Sequence, residues 1–145
     1  MKLFTIGFTK KSAERFFGLL RDSGAERVVD VRLHNVSQLT GFSKKTDLPF
    51  FLREICEMDY LHLPELAPSE ELFNGIKKEG LAWHDYERGF LRLMRKRKIE
   101  ECVPREAIDG GCLLCTEPSA EHCHRRLVAE YLAEAWGDIE IVHLM

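Results

Sequence analysis

The chain has 145 residues, of which 45% are hydrophobic and 31% are charged. Because this composition is ordinary for a globular protein, it excludes collagen, a coiled coil and wholesale disorder as the main state. Lys and Arg number 21 while Asp and Glu number 24, so the net charge is −3 and the global basic surface of a duplex-binding protein is absent. The length favours a single domain spanning residues 1–145.

The cellular compartment is predicted from the apolar stretches and the cysteines. No stretch approaches the roughly 20 apolar residues of a membrane-spanning helix, and residues 1–7 lack the long apolar run of a signal peptide. Five cysteines are an odd number, and three of them lie within residues 112–123. Clustered cysteines in a reducing compartment indicate thiol or metal chemistry rather than a disulfide scaffold. We therefore expect a cytoplasmic protein.

Strand and helix patterns alternate along the whole chain. The predicted strands are Leu3–Ile6, Val28–Val31, Tyr60–Leu63, Gly111–Cys115 and Ile139–Leu144. The predicted helices are one capped by Ser12 and ended by Gly24, one after Thr46 or Asp47, a short one opened by Ser69, and the helices 83–97 and 122–136. In the second helix we expect Phe51, Leu52 and Ile55 to face the core. The alternation predicts an α/β, Rossmann-like three-layer domain, with a mostly parallel sheet of about five strands flanked by helices.

A site in such a fold is expected at the carboxyl ends of the strands, where parallel sheets bind ligands. The candidate segments are therefore the ones that directly follow predicted strands: residues 7–9, 30–37, 62–65 and 115–125. The last of these carries the most reactive side chains.

The segment from Cys115 to Arg125 combines a strand end, a short loop and the start of a helix. At about 100° per residue, Cys123 and His124 continue the buried stripe of that helix, so they point inward beneath the loop that carries Cys115. Two thiols, an imidazole and a guanidinium thus converge at a helix N-terminus, where unpaired N–H groups favour a thiolate or a phosphate.

Our preferred interpretation is the catalytic site of an enzyme. Either Cys115 or Cys123 would be the nucleophile or redox thiol, with His124 and Glu117 managing protons. The alternative is that the cluster only packs the helix onto the sheet, because a free cysteine often behaves as a small hydrophobe.

The substrate predicted for this site is a small anion, such as a phosphorylated or nucleotide-like molecule. Arg32 and Arg125 would hold it, since guanidinium groups bind carboxylates and phosphates in bidentate fashion. Three further polar residues that follow strands are expected on the substrate side: Asp30, Ser37 and His62.

A metal-binding module without catalysis is the main alternative. Cys112, Cys115, Cys123 and His124 have the residue types and spacing of four zinc ligands. However, residues i and i+3 of a strand point to opposite faces, so a strand over 112–115 would separate Cys112 from Cys115. A nucleic-acid accessory that uses the basic run 92–98 is a further alternative, although such a run is more often the solvated end of a helix. Trp83, Tyr86 and Phe90 at helical spacing predict core rather than a stacking platform.

Several motifs resemble those of the family known as domain of unknown function 488, and the resemblance covers nearly the whole chain. The motifs are Thr5-Ile6-Gly7, Asp30-Val31-Arg32 with Ser37, Tyr60-x-His62-Leu63-Pro64-Glu65-Leu66, Cys115-x-Glu117 and Cys123-His124-Arg125. The chain departs from the family pattern at Phe8-Thr9, where His-Ser is usual, and at Asn35, where proline is usual. The resemblance implies a compact α/β fold with these motifs gathered on one rim, and it implies no particular reaction. Cys112 lies outside the family motif.

Overall fold

The computed structural model describes residues 1–35, 38–117 and 120–145, without the side chains of residues 38–40. Five strands in this part of the chain form one sheet: β1 Lys2–Gly7, β2 Arg27–Asp30, β3 Asp59–His62, β4 Gly111–Cys115 and β5 Glu140–His143. Their order is β3-β2-β4-β1-β5, and each neighbouring pair is parallel. The prediction of an α/β, Rossmann-like fold with a five-stranded, mostly parallel sheet is therefore confirmed.

Helices cover both faces of the sheet. They are α1 Ala13–Ser23, α2 Leu48–Phe51, α3 Glu70–Lys78, α4 Trp83–Arg97, α5 Ile99–Cys102, α6 Arg105–Ile108 and α7 His124–Trp136. The bounds of α4 are those predicted. At α1, the Ser12 hydroxyl accepts a hydrogen bond from the Arg15 N–H, and Gly24 takes a left-handed φ of 87° that ends the helix. Nowhere in the described ranges is a helix both long and apolar enough to cross a membrane.

Strand β4 separates two hydrophobic cores. Cys112 and Leu114 pack with α1 on one face, whereas Leu113 and Cys115 pack with α4 and α7 on the other. This alternation follows from the two-residue period of a strand. As predicted, Cys112 and Cys115 therefore lie on opposite faces.

The expectation that Ile55 faces the core is wrong, because its side chain is 42% exposed. Leu52 is buried as predicted, and Phe51 is partly buried. The reason is that α2 continues into a π-helical turn over Leu52–Cys56. A π-turn is wider than an α-turn, so it rotates Ile55 away from the face that a regular helix would have buried.

Candidate functional site

A cavity of about 510 Å³ lies where β1, β2 and β4 end. This volume is within the range of small-molecule sites, roughly 300–1,000 Å³. Three buried side chains that line it, Cys115, Cys123 and His124, form its reactive part. Its walls are mostly apolar and include Phe8, Leu33, Phe73, Ile76, Trp83 and Tyr86. The cavity thus offers apolar contact area together with a small, concentrated polar group.

The structure brings together the two thiols and the imidazole that the sequence places at this strand end. Cys115 closes β4, Cys123 is the residue before α7, and His124 is the first residue of α7. The Sγ atom of Cys115 lies 3.2 Å from Nδ1 of His124. One atom from each of the three side chains falls within 4.8 Å of the other two. This cluster, Cys115–Cys123–His124, is called the thiol cluster below.

The orientation of His124 is fixed from β2. Its Nε2 atom lies 2.7 Å from the carbonyl oxygen of Val31. Because a carbonyl only accepts, Nε2 carries a proton and donates it there, which leaves Nδ1 to face the sulfur atoms. A neutral ring then accepts a thiol proton at Nδ1, and a protonated ring donates to a thiolate. The Val31 carbonyl therefore orients His124 so that its Nδ1 atom can exchange protons with the thiols of Cys115 and Cys123.

Burial and hydrogen bonding push the two thiol pKa values in opposite directions. Burial raises the pKa of Cys115 well above its usual value, and its hydrogen bond to Cys123 raises it further. Burial also acts to raise the pKa of Cys123, yet hydrogen bonds from Cys115 and His124 and the charges of His124 and Arg125 hold it well below the usual range. Of the two thiols, Cys123 is therefore the one that loses its proton more readily.

Arg125 lies behind the thiol cluster and does not line the cavity. Its side chain is fully buried, with Nη1 donating to the Glu117 carbonyl at 2.7 Å and Nε donating to the Thr5 hydroxyl at 3.3 Å. Its Nη2 atom has no hydrogen-bond partner among the described residues. The guanidinium predicted to hold a substrate anion thus anchors the loop after β4, and its charge lowers the pKa of Cys123.

Arg32, unlike Arg125, lines the cavity, but its guanidinium is also engaged within the protein. Its guanidinium donates two hydrogen bonds to the Asp30 carboxylate, each at 2.9 Å, and two to Ser43. Asp30 also accepts hydrogen bonds from Asn35 and Tyr60. Burial acts to raise the pKa of Asp30, but the bonds and charge of Arg32 outweigh it and hold that pKa below its usual value. The donors predicted to bind an anion are therefore used to fix the loop after β2.

The other predicted site residues are dispersed. Glu117 lines the cavity, but its carboxylate pairs with Lys77 at 2.6 Å. His62 lies outside the cavity lining, with Nε2 3.2 Å from the Arg32 carbonyl oxygen. Ser37 lies outside the described residues. Among the predicted metal ligands, Cys112 faces the opposite core, so only the thiol cluster has the geometry to hold an ion.

The aromatic wall of the cavity was not predicted. The Trp83 ring stacks with Tyr86 at 5.2 Å and with His122 at 4.9 Å, measured between ring centroids. Tyr86 and Phe90 are buried as expected of core residues, whereas Trp83 is only partly buried and lines the cavity. No signal in the sequence marks this wall, because the packing of α4 over the sheet decides whether Trp83 lies in the core or at the cavity.

Gly7 allows the loop after β4 to approach β1. A Cβ atom at this position would lie 1.6 Å from the Glu117 carbonyl oxygen, the same oxygen that Arg125 binds. We expect Gly7→Ala to displace this loop and to lower the free energy of unfolding by about 1–3 kcal/mol. Urea unfolding provides the measurement.

Gly18→Ala in α1 is the matched control for Gly7. The nearest atom to a Cβ there is 4.0 Å away, so the helix accepts it and the protein gains roughly 0.5–1 kcal/mol. If Gly7→Ala unfolds at the same urea concentration as the wild type, the close approach of the loop does not contribute to stability.

Comparison with known families supports the resemblance found in the sequence. The chain matches the family described as Domain of unknown function DUF488 over residues 12–132, which is most of its length. The chain therefore belongs to this family. No curated protein and no solved structure matches it.

Proposed function

We propose that this protein is a cytoplasmic thiol-dependent enzyme that acts on a small anionic molecule held in the cavity. The observation that supports this function is the placement of the thiol cluster on a mostly apolar cavity large enough for a metabolite. Thiols are buried at little cost, but an imidazole buried between two thiols at a cavity wall is better explained by chemistry than by packing. A reducing cytoplasm keeps both thiols available for reaction.

Each member of the thiol cluster has a distinct role in the proposed reaction. Cys123 is the nucleophile, because its pKa is lowered and a thiolate is the reactive form of cysteine. His124 exchanges protons through Nδ1 while the Val31 carbonyl holds Nε2. Cys115 supplies the hydrogen bond that stabilises the thiolate.

The anionic part of the substrate is expected at the rim of the cavity. Lys77 and His34 both line the cavity, and Lys77 is paired with Glu117 across its rim. The side chains of Lys77 and Glu117 are 44% and 39% exposed, so their ion pair contributes little and can be exchanged. A substrate carboxylate or phosphate would then replace Glu117 as the partner of Lys77.

Alkylation by iodoacetamide followed by peptide mapping tests the assignment of Cys123. We expect the Cys123 thiolate to react in a fast phase that Cys123→Ser abolishes, with the melting temperature nearly unchanged. Cys112→Ser is the matched control, because this thiol lies on the other face of β4 and its replacement leaves the fast phase intact. Peptide mapping separates these thiols from the exposed Cys102.

Ligand protection extends the same test to the substrate. Anionic metabolites that fit the cavity should slow the alkylation of Cys123 and leave that of Cys102 unchanged. A fast phase that survives in Cys123→Ser would contradict the assignment of the nucleophile. Equal rates with and without every anionic compound would argue against the proposed substrate class.

A thiophilic metal ion is the second candidate occupant of the thiol cluster. A histidine whose outer nitrogen donates to a carbonyl has the usual arrangement of a metal ligand, and His124 has it. The number of ligands favours the free thiols instead. With Cys112 on the opposite face of β4, only three protein ligands come together, one fewer than a closed structural zinc site has.

Metal analysis of untagged protein purified without a chelator distinguishes these two candidates. We expect far less than one equivalent of zinc or iron, together with titratable thiols. A near-stoichiometric ion that protects Cys115 and Cys123 from alkylation would make this a three-ligand metal site without Cys112. That result would overturn the assignment of Cys123 as a free nucleophile.

A further inference from the structure

We propose that Cys115 is a resolving thiol and that the enzyme reduces small organic disulfides bearing an anionic group, through a transient Cys115–Cys123 disulfide. This inference rests on the proposed function and adds its reaction and substrate class. It assigns Cys115 a covalent role, beyond the hydrogen bond that it makes to Cys123.

The positions of the two cysteines favour a bond between their sulfur atoms. Both sulfurs belong to a group of atoms that lie within 4.8 Å of one another, and both residues line the same cavity. Cys115 is held in the central strand β4. Cys123 precedes α7 in extended backbone conformation, and its side chain makes no capping bond to the helix. A disulfide requires the two sulfurs to close from within 4.8 Å to about 2.05 Å.

The cavity matches a disulfide substrate in size, polarity and charge. Its walls are mostly apolar, which suits a weakly polar disulfide, and its rim carries Lys77 and His34 for an anionic group. A volume of about 510 Å³ holds a molecule of metabolite size. The buried thiols are thus reached by a small disulfide and shielded from larger ones.

The reaction balances in two steps of thiol–disulfide exchange. In the first step, the Cys123 thiolate attacks one sulfur of the substrate. A bond forms between these two sulfurs, the disulfide bond of the substrate breaks, and one thiolate leaves with the electron pair and takes the proton from Nδ1 of His124, which leaves Nδ1 able to accept. In the second step, Cys115 transfers its proton to Nδ1 of His124 and attacks the sulfur of Cys123. The second thiolate leaves and takes that proton.

Two electrons therefore pass from the two cysteines to the substrate. The protein ends with a Cys115–Cys123 disulfide, and the substrate ends as two thiols. Two molecules of a small thiol, as the second substrate, return the protein to its reduced state by the reverse exchange and leave joined as their own disulfide.

Glutathione disulfide is a suitable probe, because it is a small disulfide with carboxylate groups. The reduced protein with Cys102→Ser, which lacks the exposed thiol, is treated with it and examined by intact mass and peptide mapping. We expect the intact mass to fall by the mass of two hydrogen atoms. Peptide mapping should then show a disulfide between Cys115 and Cys123. Bis(2-hydroxyethyl) disulfide, which carries no charge, should react more slowly.

Variants of the two cysteines separate the steps. In Cys115→Ser the reaction should stop at a stable mixed disulfide on Cys123, and Cys115→Ala should behave in the same way. In Cys123→Ser neither product should form on Cys115. The Cys112→Ser variant should form the Cys115–Cys123 disulfide as the wild type does.

Two results would overturn this inference in distinguishable ways. If the wild type accumulates the mixed disulfide on Cys123 and never the internal bond, Cys115 is not a resolving thiol, while the thiol-dependent function still stands. If Cys123 reacts with neither disulfides nor iodoacetamide, both the inference and the proposed function fail.

Discussion

Replacing Asp30 with asparagine should lower the free energy of unfolding by about 3–5 kcal/mol, the usual cost of removing one partner of a buried ion pair. Asp30 is fully buried and Arg32 is 2% exposed, so the guanidinium would lose its countercharge where water cannot replace it. The asparagine amide would also place its own N–H donors against the N–H donors of Arg32, which now bind the Asp30 carboxylate. Urea unfolding of the variant and the wild type measures the difference.

Asp22→Asn is the matched control, because Asp22 also pairs with an arginine close in sequence. The pair joins Arg21 to Asp22 at 3.3 Å, with side chains that are 58% and 76% exposed. Its loss should cost no more than about 0.5 kcal/mol. Equal costs for the two variants would mean that burial of the Asp30–Arg32 pair does not govern its contribution.

The pH dependence of stability gives a second test of Asp30. Because its pKa is lowered on folding, the carboxylate contributes stability above the pKa of an unfolded aspartate, about 3.9. This contribution is lost as the pH falls through the lower pKa of the folded protein. The difference between wild type and Asp30→Asn should therefore be constant above about pH 5 and shrink below pH 4. A difference that grows on acidification would contradict the direction of the shift.

The elements that could be predicted from the sequence are those with a local cause. The helix Trp83–Arg97 has a long apolar stripe, and the strand Gly111–Cys115 begins at the second of a pair of glycines. Four-residue helices such as Ile99–Cys102 and Arg105–Ile108 are too short to show a period, so they were missed. Ile55 was misplaced because nothing local announces a π-turn.

The same distinction applies to the site. The positions of Cys115 and His124 follow from one strand end and the start of one helix, so the sequence carries them. Cys123 instead lies in extended backbone, before the helix predicted over 122–136 begins, and helical phase does not place it. The fate of Arg32 depends on Ser43, which a later part of the loop brings against it. The wall at Trp83 depends on how α4 packs over the sheet, which no local pattern encodes. Contacts between distant parts of the chain, which the sequence pattern does not show, therefore determine whether a predicted arginine is available to a substrate or is used within the protein.

The pH dependence of alkylation at Cys123 should show the lowered pKa of this thiol directly. We expect iodoacetamide to react with Cys123 at pH values where an ordinary thiol, with a pKa of about 8.5, is almost entirely protonated. Replacing His124 with glutamine removes a hydrogen bond and a charge that favour the thiolate, while its amide can still donate to the Val31 carbonyl. The alkylation profile of the variant should therefore move to higher pH.

The size of this effect follows from the thiolate fraction. If the variant returns Cys123 to an ordinary pKa, only about 3% of the thiol is ionised at pH 7, so the thiolate fraction falls by up to about 30-fold and the rate falls by less. At a pH above both pKa values the variant should react at least as fast as the wild type, since a thiolate of higher pKa is the stronger nucleophile. A uniform loss at every pH would instead indicate closure of the cavity. An unchanged profile would mean that His124 does not stabilise the thiolate, and Cys115 and Arg125 would then have to hold the charge alone.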